Sequence, residues 1–152
     1  MQKIKIIATA TFGLEAIVAR EVKALGYTDV KVTNGKVRFV AEFKDIARLN
    51  INLRCADRVL IEVDSFEATT FEELFQGIKA IQWDNWISKT SAFPVLAKAV
   101  KSQLMSVPDI QKISKKAIVE KLKEKYNIDW FEETDQKIVV EAGILDDIVT
   151  VT

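Results

Sequence analysis

Asn34 and Gly35 stand side by side between two short runs of alternating apolar and polar residues. The pair is a strong hairpin signal, because both residues tolerate the positive φ that a two-residue β-turn demands. It fixes two antiparallel neighbours: a short strand over 29–33, and a returning strand in which Val37, Phe39 and Ala41 alternate with Lys36, Arg38 and Glu42. The flanks follow from periodicity. Ile4, Ile6 and Ala8 alternate with Lys3, Lys5 and Ile7 as a first strand. Gly13 opens a helix whose apolar face is Leu14, Ile17, Val18, Val22 and Leu25, and Gly26 ends it. Ile46, Leu49 and Leu53 mark a second helix, and Val59, Ile61 and Val63 a fourth strand. The order over residues 1–67 is β-α-β-β-α-β, the ferredoxin-like pattern.

A second unit is expected over 68–152, giving an α+β chain of two domains. Thr70 and Glu73 form a capping box ahead of a helix with Leu74, Phe75, Ile78 and Ile81 on one face. Trp83-Asp84-Asn85-Trp86 breaks that pattern. Two tryptophans this close could stack bases, but they fit better as a plug at the seam between packed units, with Trp83 the more buried. A buried strand is expected from Ala92, then a long helix to Tyr126, an acidic loop from Asn127 to Asp135, and strands at Ile138–Val140 and Ile148–Val151. No linker rich in Gly, Ser or Pro separates the units, so they are expected to pack as one body. The last residues, Thr150-Val151-Thr152, lie inside an apparent strand, which suggests a fragment of a longer protein.

The residue inventory excludes most catalytic chemistry. There is no histidine, which removes the usual general base and most zinc sites. The five glycines are isolated, so neither a dinucleotide turn nor a phosphate loop is present. Cys55 has cationic neighbours that could lower its pKa, but a small hydrophobe at a helix end is the simpler reading. The acidic pairs Glu72-Glu73, Glu132-Glu133 and Asp146-Asp147 read as solvated surface, because adjacent side chains point in different directions. No apolar run approaches a membrane span, and a single cysteine with no signal peptide suggests the cytoplasm.

Net charge is zero, yet residues 97–128 carry 8 basic and 3 acidic groups. That local excess is what a nucleic-acid surface requires. Ser106 reads as the N-cap of the helix there, accepting from a first-turn N–H, with Pro108 in the first turn. Lys112, Lys115, Lys116 and Lys123 fall opposite Ile113 and Ala117, although Val119 lies among them. Lys98 and Lys101 punctuate the preceding strand, followed by Ser102 and Gln103. The alternative is an ordinary solvated helix face.

Several stretches resemble a known family. ATATFGLEAIVAREVKALGY, the run with Leu53-Arg54, Ala56-Asp57-Arg58, Phe66, Phe71, Leu74, Gly77, Ile81 and Trp83, and FPVLAKAVKSQL ahead of IQKISKKAIVEKL are similar to THUMP-containing RNA methyltransferases. The nearest branch is the large-subunit ribosomal RNA guanine-N2 methyltransferases and their uncharacterised relatives. The resemblance implies a ferredoxin-like domain packed on an α/β THUMP domain, together holding structured RNA, ribosomal or transfer, for a C-terminal methyltransferase domain that uses S-adenosylmethionine. That domain's glycine-rich turn and its Asn/Asp-Pro-Pro-aromatic motif have no counterpart here, so the chain alone is expected to catalyse nothing and to bind neither cofactor nor metal. Expected RNA contacts are Lys98, Lys101, Ser102, Gln103, Lys112, Lys115 and Lys116, extended by Lys36 and Arg38 on the hairpin. Arg54 and Arg58 either join the track or pair with Asp57 or Glu62. The competing reading is a small-molecule-sensing or protein-docking domain of ferredoxin-like type.

Overall fold

The first alternating run becomes β1, Lys3–Ala10, in the computed structural model, which describes residues 3–152. The chain divides into two units, one ending at Glu62 and the other spanning Val63–Thr152.

In the first unit β1 is antiparallel to both β3 (Lys36–Glu42) and β4 (Ala56–Glu62), with β2 (Lys31–Thr33) outside β3. Helices α1 (Glu15–Ala24) and α2 (Asp45–Asn52) make the two crossovers of the ferredoxin-like order. Ile6 stands opposite Phe39 and Ile61, and Ala8 opposite Val37 and Val59, so alternation sends one row of each strand into the core. Val18 and Val22 of α1 and Leu49 of α2 are fully buried there.

The hairpin turn forms where expected, but only Gly35 takes positive φ, at +69°. Its neighbours hold it. Ala10 N donates to Gly35 O at 2.9 Å, and Gly35 N donates to Glu15 Oε1 at 2.9 Å. Glu15 Oε2 accepts from Gly13 N at 2.8 Å, so α1 starts at Glu15, after the Gly13 turn rather than at it. The hydrogen bond from Gly35 holds the Glu15 carboxyl below its ordinary pKa of 4.5. Glu21 repeats the device, accepting from Arg54 N and Cys55 N, both at 3.2 Å.

The chain changes sheet at Val63, which was expected inside the fourth strand. Its N–H donates to Val151 O at 2.8 Å, and β5 (Asp64–Glu67) pairs with β8 (Ile148–Val151). Residues 63–67 therefore hydrogen-bond within the second sheet rather than the first.

That sheet runs β5-β8-β7-β6, antiparallel except for the parallel pair of β6 (Val95–Val100) and β7 (Val140–Leu145). The β6–β7 crossover is α4 (Val107–Tyr126), which packs on α3 (Phe71–Lys79). Leu74, Ile78, Ile110, Ile118, Leu122 and Ile144 centre this core. Thr70 caps α3 as expected, its Oγ1 accepting from Glu73 N, while Glu73 Oε2 accepts from the N–H of Thr69, one residue before the cap, at 3.0 Å.

Trp83 is buried in this core, and its indole N–H donates to Ile78 O at 2.8 Å. Trp86 is half-buried. Strand β6 is an edge strand and only half-buried, with Leu96, Lys98 and Val100 exposed. Asp146 and Asp147, read as plain surface, both take positive φ and close the β7–β8 hairpin. Ser106 caps α4 by position alone, since its hydroxyl donates to Asp109 Oδ2 instead of accepting from a backbone N–H.

Two outcomes follow. A folded-state pKa below the unfolded value means that Glu15 stabilises the fold above about pH 4.5 and ceases to do so as pH falls through its folded pKa. In thermal melts between pH 6 and pH 3, the parent should lose more of its melting temperature than Glu15→Gln does; parallel curves would count against the latch. Gly77 lies under the Phe66 ring, where an added Cβ would stand 2.2 Å from Cε2. Gly77→Ala should destabilise by about 1–3 kcal/mol in denaturant titrations, against the roughly 1 kcal/mol that alanine's helix propensity offers.

Candidate nucleic-acid interface

Helix α4 turns the basic segment into a surface by the way it is rotated. Its buried residues are Ile110, Ser114, Ala117, Ile118 and Leu122, and Ile113 is only partly covered. At about 100° per residue, that face is centred near Ser114, not midway between Ile113 and Ala117. Lys112 and Lys116 then point away from the core and are exposed, Lys123 lies on the same face but is half-buried, and Lys115 falls on its flank.

The difference decides what each lysine does. Lys115 Nζ donates to Phe93 O at 2.8 Å and stands 3.5 Å from the Phe93 ring centroid. Glu133 lies 4.0 Å away. Desolvation lowers the Lys115 pKa, opposed by Glu133. One turn earlier, Gln111 Nε2 donates to Val95 O at 3.3 Å. Pro94 O, between those two carbonyls, accepts instead from Val140 N at 3.0 Å. Lys115 and Gln111 thus serve the carbonyls on the outer edge of β6, and Lys115 is spent on the fold. By contrast Lys112 and Lys123 have no partner among the described residues, and Lys116 has only Glu120 at 3.9 Å and the Phe75 ring at 5.9 Å.

The loop after β6 is built around Asp147. Ser102 Oγ donates to Val100 O at 2.8 Å and accepts from Asp147 N at 3.1 Å, while Gln103 N donates to Asp147 Oδ1 at 2.8 Å. Ser102 is therefore a tie within the loop. Lys101, at φ +48°, and the Gln103 side chain stay exposed without partners among the described residues. Lys98 is exposed but lies 3.1 Å from Glu141 Oε1. It alternates with the core-facing Ala97 and Ala99, so it projects from the sheet face opposite the helices. The structure therefore groups Lys112, Lys116 and Lys123, and does not bring Lys98 to them.

On the hairpin, Arg38 Nε meets Glu62 Oε2 at 2.9 Å and Nη1 donates to Thr33 Oγ1 at 3.2 Å. Glu62 is nearly buried, so this cation balances an internal carboxylate. Lys36 is half-buried at the start of β3. Arg54 and Arg58 pair with neither Asp57 nor Glu62: Glu62 is occupied by Arg38, and Asp57 accepts from Thr11 Oγ1 at 3.4 Å. The Cys55 thiol has its pKa raised, by desolvation first and Glu21 second, which is the opposite of an activated nucleophile.

Sequence reasoning passed over Trp130, which is 80% exposed. It borders a cleft of about 370 Å³ together with Val119, Lys123 and Phe131. The available signal was Val119, the apolar residue out of place among the lysines.

Replacing Lys115 by Ala should lower stability by about 1–2 kcal/mol, because the Phe93 carbonyl loses its donor and the ring its cation. Lys112→Ala should change stability by less than about 0.5 kcal/mol. Paired urea melts check both.

Residues 5–60 match the RlmL ferredoxin-like domain, and residues 68–152 match the THUMP domain. The chain is 52% identical over its whole length to the Bacillus subtilis (strain 168) protein named Putative RNA methyltransferase YpsC, and spans 40% of that protein. A structure from Listeria monocytogenes, described as a predicted N6-adenine-specific DNA methylase, superposes with a TM-score of 0.95 at 50% identity, over 99% of this chain and 40% of that one. A putative methyltransferase, SMU.472, solved in complex with SAH, superposes with a TM-score of 0.93 at 41% identity, over 99% of this chain and 41% of that one. The chain therefore belongs to the THUMP family, as a ferredoxin-like domain of the RlmL type followed by a THUMP domain.

Proposed function

We propose that this chain is the RNA-binding part of a cytoplasmic RNA methyltransferase, and that it positions structured RNA, ribosomal or transfer, for an S-adenosylmethionine-dependent domain of the same protein. The observation that carries the reading is the row of Lys112, Lys116 and Lys123 on α4. These cations face away from the core and make no strong ion pair among the described residues. Buried or paired lysines serve the fold; unpaired ones in a row suit a phosphate backbone. Lys101 and Gln103 extend the reach of this surface, while Lys98, on the other face of the sheet and beside Glu141, is left out of it. Ser102, Lys115 and Arg38 support the fold and are left out of the contact set.

The family supports RNA as the ligand, while the names given to two relatives differ, one citing RNA and the other DNA. The SAH in one related structure supports S-adenosylmethionine as the methyl donor of the whole protein. Recognition by a lysine row is recognition of backbone and shape, without a base code of its own.

The test is a salt titration of hairpin RNA binding, with a DNA hairpin of the same sequence alongside. Affinity should fall steeply with salt, and RNA should be preferred. The Lys112→Ala/Lys116→Ala/Lys123→Ala variant should keep its melting temperature and flatten the log–log slope by roughly one unit per lost contact. Equal affinities and equal slopes for parent and variant would sink the reading in favour of a sensing or docking domain.

A further inference from the structure

We infer that Trp130 is a stacking platform for one unpaired base, with Asp129 and Glu132 reading amino groups on that base; this rests on the RNA-binding reading above.

An indole that is 80% exposed loses the benefit of burial, so its place calls for a reason. The loop that carries it is tied down. Asn127 ends α4 in the left-handed conformation, and its N–H donates to Lys123 O at 2.9 Å. Phe131 packs edge-on against the buried Phe93, with ring centroids 5.5 Å apart. Further on, Asp135 N donates to Thr90 O at 3.0 Å. Trp130 is thus held out by anchored neighbours on both sides. The cleft beside it is floored by Val119 and Phe131 and bordered by Lys123. Val119 lies on the same stripe of α4 as Lys112, Lys116 and Lys123, so the cleft opens onto the lysine row.

The loop is acidic, which at first sight opposes a nucleic acid. Asp135 accepts from the Thr90 hydroxyl at 3.4 Å, and Glu133, which also lines the cleft, lies 4.0 Å from Lys115. Asp129 and Glu132 line the cleft and have no ion pair among the described residues. They would repel a phosphate, but a carboxylate accepts hydrogen bonds from the amino groups of cytosine, adenine or guanine. The charges therefore fix an orientation: backbone along the lysines, base over Trp130 with its edge towards the acids. Stacking on an aromatic is how single-stranded nucleotides are generally held.

The experiment compares a blunt hairpin RNA with the same hairpin carrying a three-nucleotide tail of cytosines or of uracils, pyrimidines that differ in the amino group at C4. The parent should bind the cytosine-tailed hairpin most tightly, the uracil-tailed one less, and the blunt one least. Trp130→Ala should abolish the advantage of the tail, by about ten-fold or more, and Trp130→Phe should retain most of it. Emission assigned to Trp130 by difference from Trp130→Phe should be quenched by the tailed hairpin. Salt-dependent binding in which parent and Trp130→Ala treat all three hairpins alike would overturn the stacking role and leave the lysine row standing. A parent that binds no hairpin at all would overturn both readings. Quenching by a lysine-rich peptide but not by RNA would assign the cleft to a protein partner and overturn this inference.

Discussion

The rotation of α4 about its own axis is the constraint on which the candidate interface depends. Ile110, Ser114, Ala117, Ile118 and Leu122 are pressed against the sheet and α3, and a close-packed core leaves a helix little freedom to roll. The segment carries more lysines than it needs for solubility, and sequence spacing alone leaves them equivalent. Packing separates them. Of its six lysines, Lys115 is drawn to the Phe93 carbonyl ahead of β6, Lys125 pairs with Asp84 at 3.3 Å, and Lys112, Lys116 and Lys123 are left on the outer face.

What could be read from the residues was whatever depended on period. Alternation and helical spacing located the elements, and the Asn34-Gly35 turn fixed the topology of the first unit. Features set by distant partners were illegible. Val63 continues an apolar alternation, and nothing near it in sequence says that its hydrogen bond goes to Val151. Ser106 has a cap residue's identity, yet its hydroxyl donates a hydrogen bond to a neighbouring carboxylate. Ser114 sits in the buried face, its hydroxyl without a partner among the described residues, which places the centre of the stripe away from where apolar residues alone put it. Trp83 is buried as expected, but two nearby tryptophans do not by themselves say which core residues surround them.

The residues that carried the family resemblance turn out to be largely architectural. Glu15 and Glu21 clasp backbone N–H groups across loops, Leu74 and Trp83 fill the second core, and Gly77 makes room for Phe66. Each holds a position that local propensity would not hold. A resemblance built on such residues speaks first to the fold, and the ligand has to be argued from Lys112, Lys116, Lys123 and Trp130.

The pairing of β5 with β8 has a kinetic side. In the second unit, the first strand to be synthesised waits for the last: Asp64 finds its partner only when Val151 is in place. A ribosome thus releases a first sheet that can close on itself early, and a second whose outer strand stays unpaired until nearly the whole unit has emerged. Contacts between such distant points in the chain are slow to form. An unpaired strand exposed meanwhile is an invitation to wrong partners. The acidic and polar side chains of β5, Asp64, Ser65 and Glu67, suit a strand that must spend that interval in water.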